Sequence, residues 1–312
     1  MGSRGVVTGL RAFREAPRRA VVTVGVFDGV HAAHRQLIRT TVQLARRLHG
    51  TSVVVTFDPD PQAVLNPART QPALMPLRVR VASLRALGAQ RVWVIPFTRR
   101  FARMSAEQFI RRLLVGRLRA EALVVGEAFA FGRNRRGDLA ALRALGPRLG
   151  MRVVCVRAIT RGGAPVSSSR IRRLIAGGQL APARALLGYA PMLYGVVEGG
   201  AGRGRRLGFP TANIRLASQL LPPQGVYAVA VREAASRRLW RGVMNLGVRP
   251  TFGRGPLVCE VHLLGFAGRL LGRPVAISLL KRLRAERRFP TPAVLQRQVA
   301  RDVRRARHLF HR

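Results

Sequence analysis

Two cysteines, one lysine and 13 acidic residues are the scarcities of this 312-residue chain. Cys155 and Cys259 lie far apart with no neighbouring thiols. That spacing excludes a disulfide framework or a thiolate metal cluster and points to a reducing compartment. No stretch approaches the roughly 18 uninterrupted apolar residues of a membrane span. The arginine-rich residues 1–20 include Glu15 and run straight into an apolar segment, so they read as part of the first domain and the expected location is the cytoplasm. Aromatic residues make up only 6%, while Lys+Arg number 56 and give a formal charge of +43. Lys281 is the single lysine, and the arginines are spread along the chain rather than gathered on one arm. The charge therefore reads first as a preference for arginine over lysine. Its physical consequence is attraction of phosphate-bearing ligands and non-specific attraction of nucleic acid. Hydrophobic residues, at 48%, suffice for a buried core, and the length suggests two domains.

The two halves differ in pattern. In the first, β-branched runs at 21–27, 51–57, 91–97, 123–126 and 151–156 predict strands. Between them, 31–48 carries apolar residues at helical spacing, and Ser105 with Gln108 forms a capping-box pair ahead of a helix to about Leu118. Strands separated by helices predict a parallel α/β sheet with ligands at the carboxyl ends of its strands. After about Gly188 come short strands at 192–197, 225–232, 239–246, 257–264 and 275–283, joined by polar or glycine-rich turns. They predict an antiparallel barrel or sandwich, closed by a helix from Pro292 to about His308. The expected domains are 1–188 and 189–312.

Four segments carry chemistry. In Gly25-Val-Phe27-Asp28-Gly-Val-His31-Ala-Ala-His34 a strand ends, a tight turn follows, and two histidines fall three apart at a helix start. Residues so spaced share a face, beside free backbone N–H groups and the positive end of the helix dipole. That suits a triphosphate; a metal pair or two surface histidines are the other readings. Ser167-Ser168-Ser169-Arg170-Ile-Arg172 offers hydroxyls and guanidinium forks for a phosphate, or a serine cap on a basic helix. The stretch from Gly195 through Gly204 to Gly208 is a glycine-rich basic loop, suited to cradling phosphate or simply a surface turn. It leads into Thr211 and Asn213, whose hard oxygens suit Mg²⁺. Glu260, a scarce carboxylate among apolar strand residues, reads as a base for a hydroxyl or as an arginine's structural partner.

In order and spacing these pieces resemble the prokaryotic bifunctional riboflavin kinase/FMN adenylyltransferases, the FAD synthetase family. The resemblance runs from about Val6 to Leu309. Its further landmarks are Thr56-Phe-Asp-Pro-Asp-Pro61, Met104–Ile110, Val125–Gly132, Gly225-Val-Tyr227, Asn245–Phe252 and Glu260-Val-His262. It implies a Rossmann-like HxGH nucleotidyltransferase domain followed by a riboflavin kinase β-barrel. ATP, riboflavin and FMN would be the substrates, with Mg²⁺ as cofactor. His31 and His34 would stabilise phosphate charge, and Gly25, Phe27, Asp28, Ser168, Ser169 and Arg172 would bind ATP. In the kinase half, Gly204 and Gly208 would bind ATP, Thr211 and Asn213 the metal, and Glu260 would be the catalytic base. Asn245, Arg249, Arg284 and Phe289 would contact the flavin, and His262 would serve packing.

The chain departs from the family pattern at Ala33 (glycine), Asp60 (histidine), Ala128 (Asn or Asp), Gly265 (Asp) and Leu271 (Tyr). Three of these fall in the adenylylating half. Two other readings therefore stay open at the level of sequence: a riboflavin kinase with an inactive first domain, and a polyanion- or RNA-binding protein on this fold. Oligomeric state leaves no signature.

Overall fold

The computed structural model describes residues 5–9, 16–200, 203–233, 236, 238–248 and 257–310. The chain divides into two compact units, Met1–Gln71 with Leu77–Ser168, and Pro72–Pro76 with Ser169–Arg312.

Among the described residues the main sheet of the first unit has six strands: β1 (Val6–Thr8), β2 (Ala20–Val24), β3 (Ser52–Asp58), β4 (Arg91–Pro96), β5 (Ala120–Gly126) and β6 (Arg152–Val156). All pair in parallel, in the order β1-β4-β3-β2-β5-β6. Every residue of β2 is buried, which is why it reads as a continuous apolar run rather than an alternating one. Helix α1 (Ala32–Arg47) lays Leu37, Leu44, Ala45 and Leu48 against Val21, Ala122 and Val124 of the sheet. Helices α2 (Leu77–Ala86) and α3 (Leu139–Arg148) complete the larger helical elements. Chain order reverses between β2 and β5. The loops that leave these two strands therefore emerge at a topological switch point, where such sheets bind ligands.

Ser105 and Gln108 do form the reciprocal capping box. The turns that follow, Phe109–Arg117, are π-helical rather than α-helical, and the wider turn buries Phe109, Ile110, Leu113 and Leu114 together. β1 and α2 were not anticipated: β1 has three residues, and α2 carries arginines at 78, 80 and 85 that blur its apolar stripe.

A two-residue ladder, β7 (Thr160–Arg161) with β8 (Ala164–Pro165), precedes helices α4 (Ser168–Ala176) and α5 (Leu180–Leu187). The division between units falls in the first turn of α4, earlier in the chain than the expected boundary at 188. Leu180 of α5 packs into the core of the second unit, and Arg172 Nε donates to the Pro72 carbonyl at 3.0 Å.

The second unit is a closed antiparallel barrel, not a sandwich. Its strands are β9 (Met192–Glu198), β10 (Ala212–Leu216), β11 (Gly225–Glu233), β12 (Leu239–Val248), β13 (Leu257–Leu263) and β14 (Pro274–Arg284), in the order β10-β13-β12-β11-β14-β9. Alternate residues point inward: Tyr227, Val229 and Val231, Met244 and Leu246, Cys259 and Val261. Burial there pushes the Cys259 thiol up to about 12, so it serves as a small apolar filler. Outward-facing Val226, Ala228 and Val243 are covered by Val303 and Ala306 of helix α6 (Pro292–Phe310). The same helix buries Asp302, which accepts hydrogen bonds from Arg284 Nε and Gln298 Nε2, both at 2.9 Å.

Candidate functional site

In the first unit the candidate residues cluster where the chain passes from β2 to α1. The β2–β3 ladder ends with Gly25 N–H donating to the Val55 carbonyl at 3.0 Å. The Val26 carbonyl then accepts from Thr56 Oγ1 at 2.9 Å and from Arg80 Nη1 at 3.0 Å. Beyond it the backbone turns left-handed at Phe27 (φ 55°), Gly29 (φ 79°) and Val30 (φ 34°). A β-branched residue strongly disfavours that conformation, so the neighbours must impose it. Ser168 Oγ donates to the Asp28 carbonyl at 2.8 Å and Arg35 Nη1 to the Val30 carbonyl at 3.3 Å. Phe27 is buried, and a methyl on Gly25 would crowd its ring at 3.1 Å.

His31 turns out to be the N-cap of α1 rather than a first-turn residue. Its Nδ1 accepts from the His34 backbone N–H at 3.4 Å. The two imidazoles stack with centroids 3.5 Å apart and planes 18° apart, and the Phe27 ring meets His34 edge-on at 5.2 Å. No acidic residue occupies the first turn of α1. Burial holds the His34 pKa well below 6.5, helped by His31 and Arg80. His34 is thus a neutral imidazole at pH 7, and its buried Nδ1 lacks a hydrogen-bond partner among the described residues. Two stacked imidazoles at a helix N-terminus can stabilise charge on a phosphate.

This state of His34 has a consequence for stability. Below 6.5 the unfolded chain takes up a proton that the folded chain refuses, so the fold loses stability as pH falls through that window. The first unit should therefore melt at lower temperature at pH 5.5 than at pH 7.5, and His34→Gln should flatten that slope. An unchanged slope in the variant would contradict a buried neutral imidazole.

Among the departures, Asp60 has a defined local role, whereas nothing in the structure explains Ala33 or Ala128. Asp60 caps the short helix Pro61–Leu65, accepting from Gln62 N–H at 2.9 Å, and with Asp28 and Asp58 it favours the charged form of buried Arg80. Ala128 is exposed in the turn after β5, where neighbouring Glu127 accepts from the Ala158 N–H at 3.0 Å. Ala33 sits half-buried in the first turn of α1. Ser169 and Arg172 belong to the opening of the second unit, Ser169 exposed and Arg172 half-buried.

In the second unit the strand register brings the candidates together. Asn213 of β10 lies opposite Glu260 of β13, and Glu260 lies opposite Asn245 of β12. Opposed residues in antiparallel strands share a face. Their neighbours Ile214, Cys259 and Leu246 point into the core, so Asn213, Glu260 and Asn245 form a polar row on the outer face. Asn213 Oδ1 is buried without a hydrogen-bond partner among the described residues. The glycine-rich loop packs tightly against this row. A methyl on Gly200 would lie 1.8 Å from Asn213 Nδ2, and one on Gly204 would lie 2.9 Å from Thr211 Oγ1. Gly208 adopts φ 79°, a left-handed turn that a side chain would strain.

Among the described residues no group of three or more His, Cys, Asp or Glu could hold a metal. A cation at Thr211 and Asn213 would have these two side-chain oxygens, with the Glu260 carboxylate on the facing strand and phosphate and water as further oxygen ligands. That is the habit of Mg²⁺, and the orphaned Asn213 oxygen fits it.

The flavin candidates divide. Asn245 stands in the polar row, whereas Arg284 is tied to Asp302 and lies with its Cζ 5.5 Å from the ring centre of Phe289. Arg249 falls outside the described residues. His262, expected only to pack, has Nδ1 2.8 Å from the Pro210 carbonyl and its ring edge-on to Phe209, so it braces the segment that carries Thr211. Sequence reasoning missed this brace and Arg80 alike, and no motif marks an arginine in so arginine-rich a chain.

Residues 13–170 match a family model described as FAD synthetase, and residues 187–310 one described as riboflavin kinase. The bifunctional riboflavin kinase/FMN adenylyltransferase of Escherichia coli (strain K12) is 37% identical over 306 residues, covering 98% of this chain and 97% of the relative. That of Bacillus subtilis (strain 168) is 33% identical over 305 residues, covering 95% and 94%. A crystal structure of a Streptococcus pneumoniae protein described as a macrolide-efflux protein has a TM-score of 0.85 at 27% identity, covering 96% of this chain and 99% of its own. Among the described residues of this chain no helix is long and apolar enough to cross a membrane.

Proposed function

Because the chain belongs to the bifunctional riboflavin kinase/FMN adenylyltransferase family, which makes FMN from riboflavin and FAD from FMN with ATP as co-substrate, we propose a division of labour among its residues. Residues 189–312 phosphorylate riboflavin. Glu260 accepts the proton of the ribityl 5′-hydroxyl as its oxygen attacks the γ-phosphorus of ATP and ADP leaves. The Gly204–Gly208 loop approaches the nucleotide phosphates. Thr211 and Asn213 would hold Mg²⁺, which when bound would draw charge from the phosphate oxygens. Asn245, Arg249, Arg284 and Phe289 border the flavin.

Residues 1–188 adenylylate FMN. An FMN phosphate oxygen attacks the α-phosphorus of ATP and pyrophosphate leaves. His31, His34 and the α1 N-terminus stabilise the developing charge; Gly25, Phe27 and Asp28 shape the turn; Ser168, Ser169 and Arg172 bind the triphosphate. We assign both activities to the cytoplasm, where ATP is available.

The observation that most supports this reading is the register that sets the unpartnered Asn213 oxygen beside Glu260. Asn213→Ala should raise the Mg²⁺ concentration for half-maximal FMN formation roughly tenfold, the low end for losing a metal-site group. The requirement for FMN-to-FAD conversion should not move. An unaltered requirement in both reactions would overturn the metal assignment.

A further inference from the structure

Arg80 is the one arginine that is almost wholly buried among the described residues, 5% exposed, and no motif accounts for it. It projects from α2 to the carboxyl edge of the sheet, where β2 and β3 have run out of ladder. There Nη1 donates to the Val26 carbonyl at 3.0 Å and Nη2 to the Phe57 carbonyl at 2.9 Å. The planar fork therefore supplies the rung that the two backbones no longer make for each other. Burying an arginine is costly unless its surroundings compensate. Compensation here is partial: Nε is buried without a hydrogen-bond partner among the described residues. Burial lowers the guanidinium pKa, with Asp28, Asp58 and Asp60 opposing that trend. A structural tie between two carbonyls does not by itself call for a charged group. The carbonyl it grips, Val26, immediately precedes the left-handed Phe27–Val30 turn.

We propose that Arg80 is a positioning residue for adenylylation. Its guanidinium holds the strained Phe27–Val30 turn, and hence His31 and His34, in register with β3, and it sets a fixed cation behind the phosphate-binding edge. This inference rests on the assignment of adenylylation to the first unit. The same cation helps keep His34 neutral, together with burial and His31.

Two variants separate geometry from charge. Lysine keeps the cation but cannot bridge two carbonyls with a planar fork; methionine removes both. Arg80→Met should lower kcat for FMN adenylylation about 100-fold and Arg80→Lys about tenfold, as expected when a reacting geometry is displaced by about 1 Å. KM for FMN should stay nearly constant in both, and riboflavin phosphorylation should be unchanged. The His34 imidazole, followed by NMR, should titrate nearer its ordinary range in Arg80→Met and stay low in Arg80→Lys. Thermal unfolding of each variant gives the folded fraction. If Arg80→Met unfolds the first unit, folded Arg80→Lys decides the matter. Wild-type kcat per folded molecule in Arg80→Lys would overturn the proposal. Wild-type protein that makes FMN but no FAD would instead sink the assignment on which it rests.

Discussion

Glu260→Gln should cut FMN formation about 10³-fold and leave FMN-to-FAD conversion at the wild-type rate. The substitution keeps shape and hydrogen-bonding capacity, so β13 retains its register with Asn213 and Asn245. On the proposed role, what it removes is the ability to accept a proton from the ribityl hydroxyl. General-base catalysis contributes roughly 10²–10⁴-fold, and a loss of about 10³-fold is expected in kcat. Chromatography of FMN and FAD after incubation with riboflavin or FMN, ATP and Mg²⁺ reads both reactions in one sample. Retention of FMN formation within a few-fold of wild type would remove Glu260 from the mechanism. Equal loss of both reactions would point to a shared site or to general unfolding.

His31→Ala gives the mirror result: FMN accumulates and FAD formation falls by about 10²–10³-fold, the usual effect of deleting one donor to developing charge. His31 is 3% exposed, and its side chain caps α1 and stacks on His34. Loss of the cap alone costs about 1 kcal/mol. The first unit should survive that cost, because α1 keeps its packing through Ile38, Thr41, Val42 and Ala45. A folded variant that forms FAD at the wild-type rate would count against the stacked pair as the charge-stabilising group.

Much of this architecture was legible before the structure because its local signals are strong. The β-branched run 51–57 falls within one residue of the observed strand, 21–27 and 123–126 within three of theirs, and the capping box at Ser105 forms as its spacing implies. The short strands expected at 225–232 and 239–246 do pair with each other in antiparallel register as β11 and β12. What stayed hidden depends on long-range pairing. Thr211–Asn213 read as a loop motif, and only β10 reveals that Asn213 pairs with Glu260. Closure of the barrel likewise rests on β14 meeting β9 and β10 meeting β13, contacts that periodicity does not encode. Arg80 was invisible because its polarity argues for the surface, while its position places it under the edge of the sheet.

The charge changes meaning in the same way. Two of its cations, Arg80 and Arg284, are held by carbonyls and by a buried carboxylate. Asp28, Asp60 and Asp302, three of the few acidic residues, serve that same local balance.

Separate sites in the two halves of one chain make a direct demand. Mixing Glu260→Gln with His31→Ala in the presence of riboflavin, ATP and Mg²⁺ should restore FAD synthesis after a lag. The second variant supplies FMN to the first, although neither makes FAD from riboflavin at an appreciable rate alone. A mixture that accumulates FMN without FAD, or forms neither product, would contradict two independent sites with these residues at their centres.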